Sequence, residues 1–207
     1  MSEAHDNRRP IKARASGWAR KAASFLAGSR VSPNQISVAS VVFASIGAAL
    51  LVWAPGPAGL IGCAAAIQAR LICNLLDGMV AVEGGRKSPL GQLYNEFPDR
   101  LADSILIVAL GYAINLPSLG WLGALAAALT AYVRVFGGSL GLPQDFRGPM
   151  AKQHRMAVMT AGCLLGAVEQ PLTGTNYALI VTAWVVAIGS LLTCATRIRA
   201  IAALLRA

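Results

Sequence analysis

Six apolar runs, each near the ~20 residues that a helix needs to cross a bilayer, leave few folds open to this chain. They cover about residues 33–53, 58–82, 90–114, 117–139, 151–170 and 175–196. Breakers mark the joints: Pro55-Gly56-Pro57, Gly84-Gly85, Pro117, Gly141-Leu142-Pro143 and Pro171. The expected fold is all-α, an integral membrane protein of six transmembrane helices. Composition agrees: 13% of the residues are charged, against about 25% in soluble domains. The four cysteines, Cys63, Cys73, Cys163 and Cys194, stand singly in apolar runs without C-x-x-C spacing. They read as small packing side chains.

The basic residues give an orientation. Seven of the eighteen Lys and Arg lie in residues 1–30. The joints after the first, third and fifth runs have none. Arg86 and Lys87 lie in the second joint, Arg147, Lys152 and Arg155 at the fourth, and Arg197, Arg199 and Arg206 at the C-terminal end. This alternation places both termini and the even joints in the cytoplasm. A net charge of +9 placed in this way argues for anionic lipid and against nucleic acid. Residues 1–30 carry no apolar core with a cleavage site, so no secretory signal is expected. Within 8–30, Ile11, Ala15, Trp18, Ala22 and Phe25 recur at helical spacing. That suits an amphipathic interfacial helix before the membrane domain at 31–207; a partly ordered soluble tail is the alternative. Ser32 and Pro33 read as N-cap and first residue of the first span.

Five of the nine acidic residues fall between Asn74 and Asp103: Asp77, Glu83, Glu96, Asp99 and Asp103. Carboxylates beside hydrocarbon cost about 2.5–3.5 kcal/mol each on insertion scales. Asn74 and Asp77 are spaced i, i+3, and Asn95, Asp99 and Asp103 i, i+4, i+8, so each set lies on one helix face. Facing antiparallel helices would gather four or five oxygen ligands, the donor set preferred by Mg²⁺ or Mn²⁺. Gly78, Ala81 and Gly91 keep those faces narrow. The alternative is a set of carboxylates buried against Arg70 and Arg100; Arg70 precedes Asp77 by seven residues, on the same face. Arg134, Lys152 and Arg155 could bind an acceptor phosphate, or serve only as positive-inside charge.

The stretch resembles the signature of the CDP-alcohol phosphatidyltransferase family, D-x-x-D-G-x-x-A-R-x8-G-x-x-x-D-x-x-x-D. Without a gap, Asn74 takes the first Asp, Asp77 the second, Gly78 the first Gly, Ala81 the Ala and Val82 the Arg. Gly91 takes the second Gly, Asn95 the third Asp and Asp99 the fourth. The continuation D-R-L-A-D (Asp99–Asp103) and V-S-P-N-Q-I-S (Val31–Ser37) are similar to the bacterial phosphatidylinositol-phosphate synthase branch. The resemblance implies attack of an acceptor hydroxyl on the β-phosphorus of a CDP-alcohol such as CDP-diacylglycerol, with CMP leaving. It implies divalent metal on the motif residues (here Asn74, Asp77, Asn95, Asp99 and Asp103), Asp99 as general base, and nucleotide contacts at Asn34, Ser37, Gly78, Ala81, Ser88 and Gly91. It also implies a homodimer in a bacterial inner membrane. Asn74 and Asn95 each keep one ligand oxygen and lose a charge, and Val82 removes a phosphate-binding Arg. A catalytically silent relative that binds lipid, nucleotide or a partner is therefore the competing reading.

Overall fold

The computed structural model describes residues 16–85 and 89–206. Every regular element among them is a helix: α1 (Gly17–Ala27), α2 (Pro33–Trp53), α3 (Pro57–Glu83), α4 (Gly91–Ala113), α5 (Pro117–Ser139), α6 (Lys152–Thr173) and α7 (Tyr177–Leu204). The starts follow from local chemistry. Ser32 and Gln35 form a capping box, with Gln35 N donating to Ser32 Oγ at 3.2 Å and Ser32 N donating to Gln35 Oε1 at 2.8 Å. Pro33, Pro57 and Pro117 occupy the first turn of α2, α3 and α5, where the missing N–H costs no hydrogen bond. Pro171 does not end α6 as a breaker; it lies within the last turn, and the helix closes at Gly174 with φ +69°. Pro98 is internal to α4, where it removes the bond to the Tyr94 carbonyl immediately before Asp99.

Four helices are long and apolar enough to cross a membrane: Pro33–Trp53, Pro57–Val82, Pro117–Ser139 and Tyr177–Leu204. This is a membrane protein by that measure. Helices α4 and α6 have the length but fall short on composition. The core joins α2, α3, α4, α5, α6 and α7 through residues such as Leu51, Leu60, Ile67, Leu106, Met156 and Val186. Small residues allow the backbones to approach. A Cβ on Gly111 would sit 2.6 Å from the Gly120 Cα, so α4 and α5 cross where neither can carry a side chain.

Helix α1 packs on α3. Its buried face is Ala19 and Ala23, packed on Leu75, Met79 and Val80 of α3. Trp18 and Phe25 point outward, 52% and 79% exposed. Within the described part of the stripe, Trp18 and Phe25 are exposed and Ala22 packs against the protein. Residues 1–15, with Ile11 and Ala15, lie outside the described residues.

Neighbouring helices run in alternate directions. Ser37 on α2 meets Asp77 on α3, Asn74 on α3 meets Asp99 on α4, and Asp103 on α4 meets Arg155 on α6. The start of α2, end of α3, start of α4, end of α5, start of α6 and end of α7 therefore share one end of the bundle. The α5–α6 connection is fastened to that end. Met150 N donates to Thr193 Oγ1 at 2.9 Å, and Arg197 Nε donates to Arg147 O at 2.9 Å.

Candidate active site

The polar groups form two linked clusters. In the first, Ser37 Oγ donates to Asp77 Oδ2 at 2.6 Å, and Asn74 Nδ2 donates to Asp99 Oδ1 at 2.8 Å. The other oxygen of Asp99 is held by the Lys152 ammonium from the first turn of α6. Of the i, i+3 pair of α3, Asn74 thus meets α4 and Asp77 meets α2.

The second cluster is deeper. Arg70 and Arg155 are 0% and 1% exposed, so each needs an internal counter-charge. Asp103 serves both: Arg70 donates to Oδ1 at 2.5 Å and Arg155 to Oδ2 at 2.8 Å. Arg70 also donates to the Asp99 backbone carbonyl at 3.3 Å. The expected same-face partner of Arg70 was Asp77. The structure pairs Arg70 with Asp103 across the α3–α4 contact instead, because the guanidinium reaches sideways from its own helix.

The remaining candidates divide. Asn34, Gly78, Ala81 and Gly91 are half-buried around the mouth of the first cluster, and Asn95 is exposed on the α4 stripe above Asp99. Val82 is 48% exposed. Ser88 lies outside the described residues, as do Arg86 and Lys87. Glu96 is turned to cations: Arg134 donates to it at 2.5 Å, and Arg100 Nε lies 3.9 Å away. Arg134 also donates to Gln144 Oε1 at 2.6 Å and lies over the Phe146 ring. His154 is exposed, with Nδ1 3.0 Å from the Pro149 carbonyl oxygen. In the α5–α6 connection, outside the helices, hydrogen bonds from Arg147 hold the Asp145 carboxylate below the usual carboxylate range.

Arg197 was counted in the sequence only as an orientation charge. It is buried, and it donates to the carbonyls of Thr130 at 2.5 Å and Arg147 at 2.9 Å. Among the described residues it has no carboxylate within ion-pair distance. The available signal was its spacing: Thr193 and Arg197 are i, i+4 on one face of α7, and Thr193 holds the same connection.

Among the described residues no three His, Cys, Asp or Glu side chains gather into a metal-binding group. Both oxygens of Asp103 are taken by arginines, and Asp99 is engaged by Lys152, by Asn74 and, at 3.6 Å, by Arg70, so Asp77 is the carboxylate of the three left without a cationic partner among the described residues.

The family model described as CDP-alcohol phosphatidyltransferase matches residues 30–195. The chain belongs to this family. A bifunctional IPC transferase and DIPP synthase of Rubrobacter xylanophilus is 36% identical over 152 residues, which is 70% of this chain and 34% of that protein. This chain thus spans about a third of that relative's length. An archaetidylinositol phosphate synthase of Aeropyrum pernix is 34% identical over 143 residues, 67% of this chain and 70% of that protein. The crystal structure of phosphatidylinositol phosphate synthase of Mycobacterium tuberculosis with CDP-DAG bound superposes with a TM-score of 0.76 at 20% identity, covering 90% of this chain and 94% of that one. That last likeness shows the fold.

Proposed function

We propose that this chain transfers a phosphoryl-alcohol group, phosphatidyl from CDP-diacylglycerol in the first instance, to an acceptor hydroxyl with release of CMP, in phospholipid biosynthesis. The observation that carries the reading is the junction of Asp77 and Asp99. Two carboxylates from different helices, Asp77 held by Ser37 and Asp99 held by Asn74 and Lys152, sit at the same end of the bundle. This is the pair of signature acids that the chain retains. A structure of the Mycobacterium tuberculosis relative in complex with manganese and citrate supports Mg²⁺ or Mn²⁺ as the cofactor class.

Asp99 is the candidate general base. Its Oδ2 is paired with Lys152, whose ammonium balances the carboxylate charge beside the acceptor hydroxyl. Ser37 fixes the rotamer of Asp77 from α2. The chemistry that a divalent cation supplies at this place is neutralisation of the pyrophosphate and of the charge developing on CMP. Asn34, Gly78, Ala81 and Gly91 form the nucleotide side of the mouth, and Ser88 is assigned to the nucleotide by the motif alone. Arg197, without a carboxylate partner, together with Arg155 and Arg134 suits an acceptor that carries an anionic group.

The same reading holds that all six apolar helices span a bacterial inner membrane with both termini in the cytoplasm. In this arrangement α4 and α6 point their charges at one another rather than at lipid. Residues 1–30 form a basic interfacial segment, residues 31–207 the transferase domain, and a second copy completes a homodimer. Tags in the connections after α2, α4 and α6 are expected on the non-cytoplasmic side; cytoplasmic labelling there removes the six-span arrangement.

The amide substitutions at positions 74 and 95 favour the second reading, a silent lipid- or nucleotide-binding relative. One assay separates the two. Purified protein in mixed micelles receives CDP-diacylglycerol, Mg²⁺ or Mn²⁺ and a panel of acceptor alcohols, and CMP is measured. Release above an Asp99→Asn control establishes transfer; equal release from both rejects it.

A further inference from the structure

We infer that Lys152 is a built-in cation of this site, standing where a second metal charge would otherwise be required, so that the chain holds a single divalent ion. The inference rests on the transferase reading for its purpose, but on side-chain charge and contact for its substance. Asp103 is paired with Arg70 and Arg155 and Asp99 with Lys152, whereas Asp77 accepts from Ser37 and, among the described residues, has no cation within ion-pair distance, which leaves one carboxylate for one ion from solution. Relative to the four-Asp signature, Asn74 and Asn95 remove two negative charges, the charge of one divalent ion.

The contacts show the exchange atom by atom. An Asp at position 74 could only accept hydrogen bonds and would turn a carboxylate toward Asp99. Asn74 instead donates Nδ2 to Asp99 Oδ1 at 2.8 Å, so a repulsion that only a shared cation could bridge has become a hydrogen bond. Oδ2 of the same Asp99 is taken by Lys152. Lys152 Nζ is placed by the first turn of α6, and the preceding connection is anchored by the Met150–Thr193 and Arg155–Met150 hydrogen bonds at 2.9 and 2.7 Å. An ammonium so placed is a fixed charge that needs no loading from solution. A second dication would have to share Asp99 with it, in a medium where like charges a few ångströms apart repel strongly.

The test is a Mn²⁺ titration of the purified full chain in detergent, with free Mn²⁺ read by electron paramagnetic resonance and no substrate present. One ion per wild-type chain is expected. Lys152→Gln should bind that ion at least about tenfold more tightly, because a neighbouring positive charge is gone, whereas Lys152→Arg should keep the wild-type affinity. Asn74→Asp/Asn95→Asp should bind two ions. A wild-type stoichiometry of zero or two, unchanged affinity in Lys152→Gln, or a single ion in the double Asp variant overturns the inference. The wild-type stoichiometry needs no variant to fold. If Lys152 serves only the acceptor, Lys152→Gln raises the acceptor KM and leaves Mn²⁺ affinity alone. Because Mn²⁺ binding is read without turnover, failure of the transferase reading, seen as absent CMP, is a separate result.

Discussion

Asp103 offers the sharpest test of which carboxylates are structural and which are chemical. Asp103→Asn keeps the shape and removes the charge. Its two partners, Arg70 and Arg155, are essentially inaccessible to water, and each touches one oxygen of Asp103, at 2.5 and 2.8 Å. Breaking a buried pair by neutralising one member costs about 3–5 kcal/mol. Some compensation remains. Arg155 still donates to Met150 O at 2.7 Å and to Thr130 Oγ1 at 3.3 Å, and Arg70 to the Asp99 carbonyl at 3.3 Å. The lower end, about 3 kcal/mol, is the expected loss. At about 2–4 °C per kcal/mol for a chain of this size, thermal unfolding in detergent at neutral pH should fall by roughly 6–12 °C. Adding Arg155→Met should cost less than the sum of the two single changes, with a coupling of at least about 1 kcal/mol. A midpoint within about 2 °C of wild type, together with a large loss of Mn²⁺ affinity, would refute this reasoning and return Asp103 to the ligands.

Three other outcomes follow from particular contacts. Gly148 has φ +125°, and a Cβ there would lie 2.9 Å from Thr193 Oγ1; Gly148→Ala should cost about 1–3 kcal/mol and raise amide exchange across residues 147–151 before the rest of the bundle. Arg197→Gln should raise KM for an anionic acceptor while leaving KM for CDP-diacylglycerol near wild type, measured by CMP release. The Asp145 carboxyl is held low by Arg147, so the stability it gives is present above the ordinary carboxylate value of about 3.9 and is lost as pH falls toward the lower folded value. With Arg147 largely exposed, Asp145→Asn should cost under about 1 kcal/mol near neutrality, a difference that amide exchange of the connection should show shrinking only below about pH 3.9.

Local chemistry made the helices legible. The Ser32–Pro33 start and the apolar runs 33–53 and 117–139 coincide with α2 and α5, because capping, proline and hydropathy act within a few residues. Helical spacing also set Asn74 and Asp77 close together on α3, where Asn74 meets α4 and Asp77 meets α2. The pairing of charges between helices was not legible. Asp99 and Asp103 share a stripe, yet Asp99 meets Lys152 and Asn74 whereas Asp103 meets two arginines. That outcome depends on depth in the bundle, and no spacing rule states depth. Counting cations by connection explains why Lys152, Arg155 and Arg197 lie at one end but does not separate surface charge from buried charge. The separating quantity is the acid count inside the hydrocarbon. A buried carboxylate calls for a cation from another helix: Asp103 draws two and Asp99 one, while Asp77 has Ser37 and, among the described residues, no cation within ion-pair distance. Asn74 and Lys152 thus take one oxygen each of Asp99, and restoring Asp at positions 74 and 95 without removing Lys152 should leave Asp99 contested between ammonium and ion.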